Sequence, residues 1–459
     1  MQQGEKYDVT VIGAGIGGLC TGALLSCQGY KVMVVEKLNH MGGRCSTEEY
    51  EGFKLPTGAA AIHRGAGMDE TFRQAGTQLE IIMVPRLLYR LGGEDYEMPI
   101  KGSITAMFDI INKLEVNRTK FTGGLVKAIA TEKLGRAMGR GFHEPEKETM
   151  VFRDWLLQYT DNEIAHGIFD TIASVLLAAH TFEIPASSVF SFFAIGGGSR
   201  DVGIAPHGNL AEMEKLAKVI KSNHGDIWTG CEVKSITISG GKTTGIVVRR
   251  NGDEVEISSQ VVISDIGPKR TSELAQEKDF DDDYLRLLRL RNRRQPVTVV
   301  FIASDVPLWP ESGKAEAAIG MLTGTRRIKS IIPLSSISPE LAPPGQHLLF
   351  LYCAPRTSFQ DHIDAEEEER QVIMDIKEQL PLFEKHGRIL KLDPRDIDHE
   401  FPGSRCRIGS GMPVETPVKN LYNVGDGCNP PGITGTTGAV GSARRVIDII
   451  KKTYKPGKP

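Results

Sequence analysis

Cysteine is sparse and unpatterned in this chain. Its 459 residues hold seven, Cys20, Cys27, Cys45, Cys231, Cys353, Cys406 and Cys428, and no two show C-x-x-C spacing. An odd, scattered set excludes a disulfide framework and a cysteine-built zinc site, so no metal is expected, and it fits a reducing, cytoplasmic location. Apolar runs are short: none approaches the ~18 residues of a membrane-spanning helix. The first residues lack the charged-then-apolar order of a secretory leader. Positive charge is not in excess either. The net charge of −3 argues against a nucleic-acid partner.

Glycine, by contrast, is abundant, with fifty residues gathered toward the two ends. That distribution reads as tight turns and close backbone approach. The length exceeds what one core usually serves, which predicts two domains.

The N-terminal segment explains the first glycine group. Tyr7 to Ile12 is a β-branched run suited to a buried parallel strand. Gly13-Ala14-Gly15-Ile16-Gly17-Gly18 follows, matching G-x-G-x-x-G, then an apolar helical stretch and a second strand from Lys31 to Val35 that closes on Glu36 and Lys37. Gly13 permits the strand-to-helix turn, Gly15 lets backbone approach a pyrophosphate, and Gly18 lets helix and strand pack. The helix start offers free N–H groups and the positive end of a dipole. Glu36, about twenty residues past the first glycine, suits an adenosine ribose and would repel a ribose phosphate, which favours FAD or NAD over NADP. Met41-Gly42-Gly43-Arg44 then supplies a second phosphate-wrapping piece that a simple NAD domain does not need, which selects FAD. The small run Thr57-Gly58-Ala59-Ala60 would let backbone lie against a flat isoalloxazine ring.

The second glycine group lies at 420–448. A strand from Leu421 to Val424 runs into Gly425-Asp426, and Ile433 and Thr434 precede a helix whose start is rich in small residues. Asp426 is placed to accept hydrogen bonds from the ribityl or phosphate-adjacent groups. The helix start suits the flavin N1–C2=O edge, where reduced flavin gathers negative charge.

These motifs together resemble the flavoprotein superfamily of phytoene desaturases, carotenoid isomerases and monoamine oxidases. Within it, the order of Pro206-His207-Gly208-Asn209-Leu210, Val233-Lys234-Ser235-Ile236 and Gln260-Val261-Val262-Ile263-Ser264-Asp265 is similar to the phytoene desaturase-like branch. The resemblance implies an α/β fold: a Rossmann-like FAD domain of the glutathione-reductase type, with a discontinuous α+β substrate domain in which helices cover a sheet. The expected boundaries are 1–85, 206–290 and 415–459 for the FAD domain, and 86–205 and 291–414 for the substrate domain. It further implies that Val233 contributes backbone contacts to the adenine. Amine oxidases of the superfamily carry an aromatic cage wall in the C-terminal motif, and this chain has no aromatic between Asn423 and Lys452. Cys406 is the one candidate by position for covalent flavin attachment, but its surroundings differ, so FAD is expected to be non-covalent.

The implied activity is dehydrogenation or desaturation of a largely apolar small molecule by hydride transfer to flavin N5. A flavin amine oxidase and a redox-neutral polyene isomerase stand as alternatives. Oxygen, a quinone or a protein remain open as electron acceptor, and monomer or homodimer as assembly. His63, a few residues past the small run, is the one catalytic candidate, with a structural histidine as the competing reading. His180 reads as structural. The basic run Arg289, Arg291, Arg293 and Arg294 reads as a solvated face. The basic tail from Lys451 suggests at most weak peripheral membrane contact. Residues 131–149, poor in apolar side chains, are expected to form an exposed loop.

Overall fold

A computed structural model describes residues 2–65, 67–98, 118–137, 150–194, 202–310, 317–429 and 433–457. Two seven-stranded sheets organise them. The first runs in the order Asp226–Trp228, Val32–Val35, Gln2–Ile12, Asp253–Ser264, Lys242–Arg250, Glu232–Ser239, with Leu421–Asn423 also paired to Asp253–Ser264. Its centre is parallel. Ile12 lies beside Val35 on one side and Ser264 on the other, and Ser264 lies beside Asn423. That register aligns the carboxyl ends of four strands, so whatever follows each strand is delivered to one edge. In open α/β sheets this edge is where ligands bind.

The strands are β-branched because both faces are covered. The helix Ile16–Ser26 is buried at every position and packs against the helices Asn209–Ser222 and Gly435–Thr453. A helix apolar all round is the expected product of such burial. The glycines are needed for this packing: a side chain on Gly18 would run into the carbonyl oxygen of Gly13, and Gly13 itself turns at φ +96°.

The second sheet runs Gly387–Arg395, Val297–Ser304, His347–Cys353, Ile328–Ile332, Ala318–Leu322, Arg86–Leu91, Glu94–Met98. Val297–Ser304 is buried throughout, and its side chains divide by the two-residue period of a strand. Val297, Val299, Phe301 and Ala303 join one core with the helices Phe152–Leu157, Glu163–Leu177 and Ala186–Ala194. Val300 and Ile302 join another with Trp309 and the helix Ala365–Gln379. The molecule is thus α/β, a Rossmann-like FAD-binding sheet joined to a second sheet with helices over it.

One local expectation fails. The segment expected to be a loop from 131 is helical through its first part, as the end of Arg118–Ala137. Phe121, Leu125 and Ile129, spaced by four, bury one stripe of this otherwise polar helix. The remainder of that expected loop, 138–149, and the glycines 196–198 lie outside the described residues.

Candidate cofactor cleft

The shared strand edge opens into a cleft of about 450 Å³, within the range of small-molecule sites. Gly13, Gly15, Gly17, Glu36, Lys37, Gly43, Arg44, Gly58, Ala59, Val233, Gly425 and Asp426 line it, from motifs at both ends of the chain.

Glu36 sits just past its strand, 6% exposed, with one carboxylate oxygen accepting the Ala14 N–H at 2.7 Å and the other the Leu38 N–H at 2.9 Å. These bonds fix its orientation at the point where an adenosine ribose would meet it. Val233 lies beside it with Cys231 and Glu232. Lys37 spans the rim in an ion pair with Glu400 at 2.6 Å.

The second glycine piece is sewn to the first. The Gly42 N–H donates to the Ala14 carbonyl at 2.7 Å, and the Ala59 N–H to the Arg44 carbonyl at 2.9 Å. Arg44 pairs with Asp426, which is 3% exposed and also accepts the Arg405 N–H at 2.9 Å. Burial alone would raise the Asp426 carboxyl, but the Arg44 and Arg405 charges and these hydrogen bonds hold it below the usual carboxylate value. The Gly425 N–H donates to the Ser442 hydroxyl at 2.9 Å, tying the strand end to the final helix. That helix points its start into the cleft through Gly435, Thr436 and Ala439.

Five expected residues stand back from the lining. Gly18 acts through packing and through its N–H, which donates elsewhere in the cleft. Ala60 packs beside the second core. Ile433 and Thr434 precede the helix, and its first turn reaches the cleft in their place, with Thr434 as N-cap. His63 occupies a two-residue strand, paired with Val202, and does not border the cleft. Cys406 is 2% exposed, its thiol donates to the Asp426 carbonyl at 3.0 Å, and burial pushes it well above the ordinary thiol value. A thiol so held is a poor nucleophile for covalent attachment.

The structure adds residues that the motifs left unassigned. Asp265 follows the strand Asp253–Ser264 as Glu36 follows its own, and accepts the Gly18 N–H at 2.9 Å. Arg405 joins it from the far side. Val297, Val299, Phe350 and Tyr352, from adjoining strands of the second sheet, give the cleft an apolar wall. The signal for Asp265 was present, an acid at the end of a parallel strand. The others depend on contacts between distant segments.

The donor set fits FAD: a carboxylate for the ribose, glycine-lined backbone and a helix start for the diphosphate, and small residues for a flat ring. Residues 16–450 match the family model described as flavin-containing amine oxidoreductase. The chain belongs to this family and is an FAD-dependent oxidoreductase. It is 24% identical over 452 residues to an uncharacterised protein of Methanocaldococcus jannaschii, covering 96% of this chain and 99% of that one. It is 23% identical to the neurosporene-forming phytoene desaturase of Rhodobacter capsulatus, covering 98% of this chain and 95% of the desaturase. An oxidoreductase from Methanosarcina mazei shares its fold, with a TM-score of 0.81, 25% identity, and coverage of 97% and 100%. No helix among the described residues is long and apolar enough to cross a membrane.

Proposed function

We propose that the protein dehydrogenates or desaturates a largely apolar small molecule. In this reading 1–85, 206–290 and 415–459 hold FAD, and 86–205 with 291–414 shape the substrate side. The observation that carries it is the wall formed by Val297, Val299, Phe350 and Tyr352, which lines the same cleft as Gly58, Ala59 and the start of Gly435–Thr453. Such a wall offers dispersion contacts and excludes water, and it holds no ammonium-binding carboxylate.

FAD, when bound, would supply at flavin N5 the acceptor for the hydride that leaves one substrate carbon, while the proton lost from the neighbouring atom is released to solvent. The chain's own contribution is placement. Glu36 and the glycine turns fix the adenosine diphosphate end, and the Arg44–Asp426 pair fixes the hinge between the motifs. The first turn of Gly435–Thr453 directs its positive dipole end into the cleft, where it favours negative charge on the reduced ring. The second sheet orients the substrate over the ring, which lowers the barrier by fixing the approach.

A flavin amine oxidase is the competing reading, favoured by the family's description and opposed by the lack of an aromatic residue between Asn423 and Lys452. Anaerobic bleaching of the purified yellow protein separates the two. Polyenes or other apolar hydrocarbons should bleach the flavin absorbance, and bleaching by primary amines alone would overturn the proposal. A redox-neutral isomerase would convert a polyene only after the flavin had been reduced, with no net bleaching.

A further inference from the structure

Asp265 stands where the dinucleotide motif converges. Its backbone N–H donates to the Ile12 carbonyl at 2.8 Å, which places the residue level with Gly13. Its carboxyl turns into the ring of glycines: a side chain on Gly15, Gly17 or Gly425 would collide with the carboxyl oxygens, at 2.7 Å in the case of Gly17. One oxygen takes the Gly18 N–H, a donor at the start of Ile16–Ser26. The carboxyl therefore shares the helix start that a cofactor diphosphate approaches, and two anionic groups must be accommodated there.

The charges facing it do not neutralise both. Arg405 approaches from the loop before the final strand, but its guanidinium donates to the Ile266 carbonyl and is 3.9 Å from Asp426. Arg44 is committed to Asp426. Asp426 adds a further negative charge, and the nearby thiols of Cys20 and Cys428 are buried and pushed upward, so neither supplies a charge. Around Asp265, then, two arginines face two carboxylates, and the other cations of the cleft are engaged elsewhere, Lys37 with Glu400, Arg270 with Glu273, Arg395 with Asp393 and Arg294 with the Ile397 carbonyl; a diphosphate adds two further negative charges. Burial, with the Asp426 charge adding to it, already pushes Asp265 up to about 7 against the pull of the Gly18 N–H and the arginines.

We propose that Asp265 is the proton-accepting member of the FAD site: binding of the diphosphate converts its carboxylate to the neutral acid, and up to one proton from solvent enters with each FAD. This rests on the FAD cleft described above and adds a proton to its binding equilibrium. The neutral acid retains an oxygen to accept from Gly18, and its hydroxyl gains the capacity to donate to a phosphate oxygen. The sign follows. A carboxyl raised in the free protein and raised further in the complex favours binding at low pH. Affinity is then lost as pH climbs above the free-protein value, by about tenfold in Kd per pH unit for one linked proton.

The test is FAD release from the holoprotein on dilution, followed by recovery of free-flavin fluorescence, at pH values between about 5.5 and 8.5. Calorimetry of FAD rebinding in two buffers of different ionisation enthalpy counts the protons taken up. The wild type should hold FAD with a constant Kd on the acid side and a rising one on the alkaline side, with proton uptake at neutral pH. Asp265→Asn, which mimics the neutral acid and can still accept from Gly18, should flatten the profile and remove the uptake. A flat wild-type profile without proton uptake, or the same slope in Asp265→Asn, would overturn the proposal while leaving the cleft assignment intact. Failure to bind FAD at any pH would overturn both. The wild-type measurement alone decides the matter if the variant does not fold.

Discussion

Arg44 and Asp426 form an ion pair across 382 positions of sequence, at the junction of the two motifs that build the cofactor cleft. The pair is largely buried, and Asp426 also receives the backbone N–H of Arg405. Its consequence is mechanical: the N-terminal glycine turns and the C-terminal strand end are held at one spacing.

Removing Asp426 strands the Arg44 charge, and removing Arg44 leaves Asp426 with Arg405 alone; a fully buried broken pair loses about 3–5 kcal/mol, and the loss is smaller here because Arg44 keeps some contact with solvent. Asp426→Ala and Arg44→Met should each lower flavin content and thermal stability. The double variant should lose less than the sum of the two, as expected for groups in contact. The ratio of flavin to protein absorbance and thermal melts of all three report this. Strict additivity would show that the pair does not act as a unit.

Glu36→Ala removes acceptors for two backbone N–H groups as well as the proposed ribose contact. The expected loss is about 1–3 kcal/mol, or about five- to 150-fold in FAD affinity. Flavin titration of the apoprotein measures it. Undiminished affinity would remove Glu36 from the binding set.

Asp375 offers a contrast far from the cleft. It is fully buried and accepts the N–H groups of Arg326, Arg327 and Ile328 at 3.0, 2.6 and 3.0 Å. Asp375→Ala should destabilise the protein by about 3 kcal/mol or more. The surviving folded fraction should carry its normal complement of flavin, a combination seen by pairing melts with flavin content.

His180 gives a pH-dependent prediction. One ring nitrogen faces Asp170 at 2.9 Å and the other the Pro355 carbonyl at 2.8 Å, so both nitrogens meet acceptors. Burial lowers the imidazole, but Asp170 and the Pro355 carbonyl outweigh it and leave it raised above 6.5. Its contribution is then fully present below 6.5 and lost as pH rises through the higher folded value. Asp170, held below 3.8 by His180 against the effect of burial, contributes above 3.8 and fails only in stronger acid. The melting-temperature gap between wild type and His180→Gln should therefore be widest near about pH 5 and narrow on the alkaline side. A gap that widens with pH would contradict this arrangement.

How much of this was legible in the sequence depended on locality. Gly13 to Glu36 is one continuous strand–helix–strand unit, so spacing alone predicted its geometry. Gly425 and Asp426 were legible for the same reason, as a strand end followed by a small-residue helix. Asp265 closes the Gln260-to-Asp265 stretch that carries the family resemblance, yet its role depends on register: only pairing of Ser264 with Ile12 brings it onto the glycines. The wall of Val299 and Phe350 required knowing which face of a doubly buried strand turns to the cleft, and a run apolar on both faces conceals that. The helix Arg118–Ala137 was missed in its last part because charged residues outnumber its buried stripe. His63 is suggested by closeness in sequence to the small run, and it is not among the residues that line the cleft.

The separation between Arg44 and its partner also orders events during synthesis. The glycine turns leave the ribosome hundreds of residues ahead of the strand that completes them, and contacts at such separation form late. A nascent chain has no finished pocket to close around the coenzyme until that last strand has docked. Yellow colour therefore marks a chain whose two ends have met, and it can serve as an optical readout of completed folding.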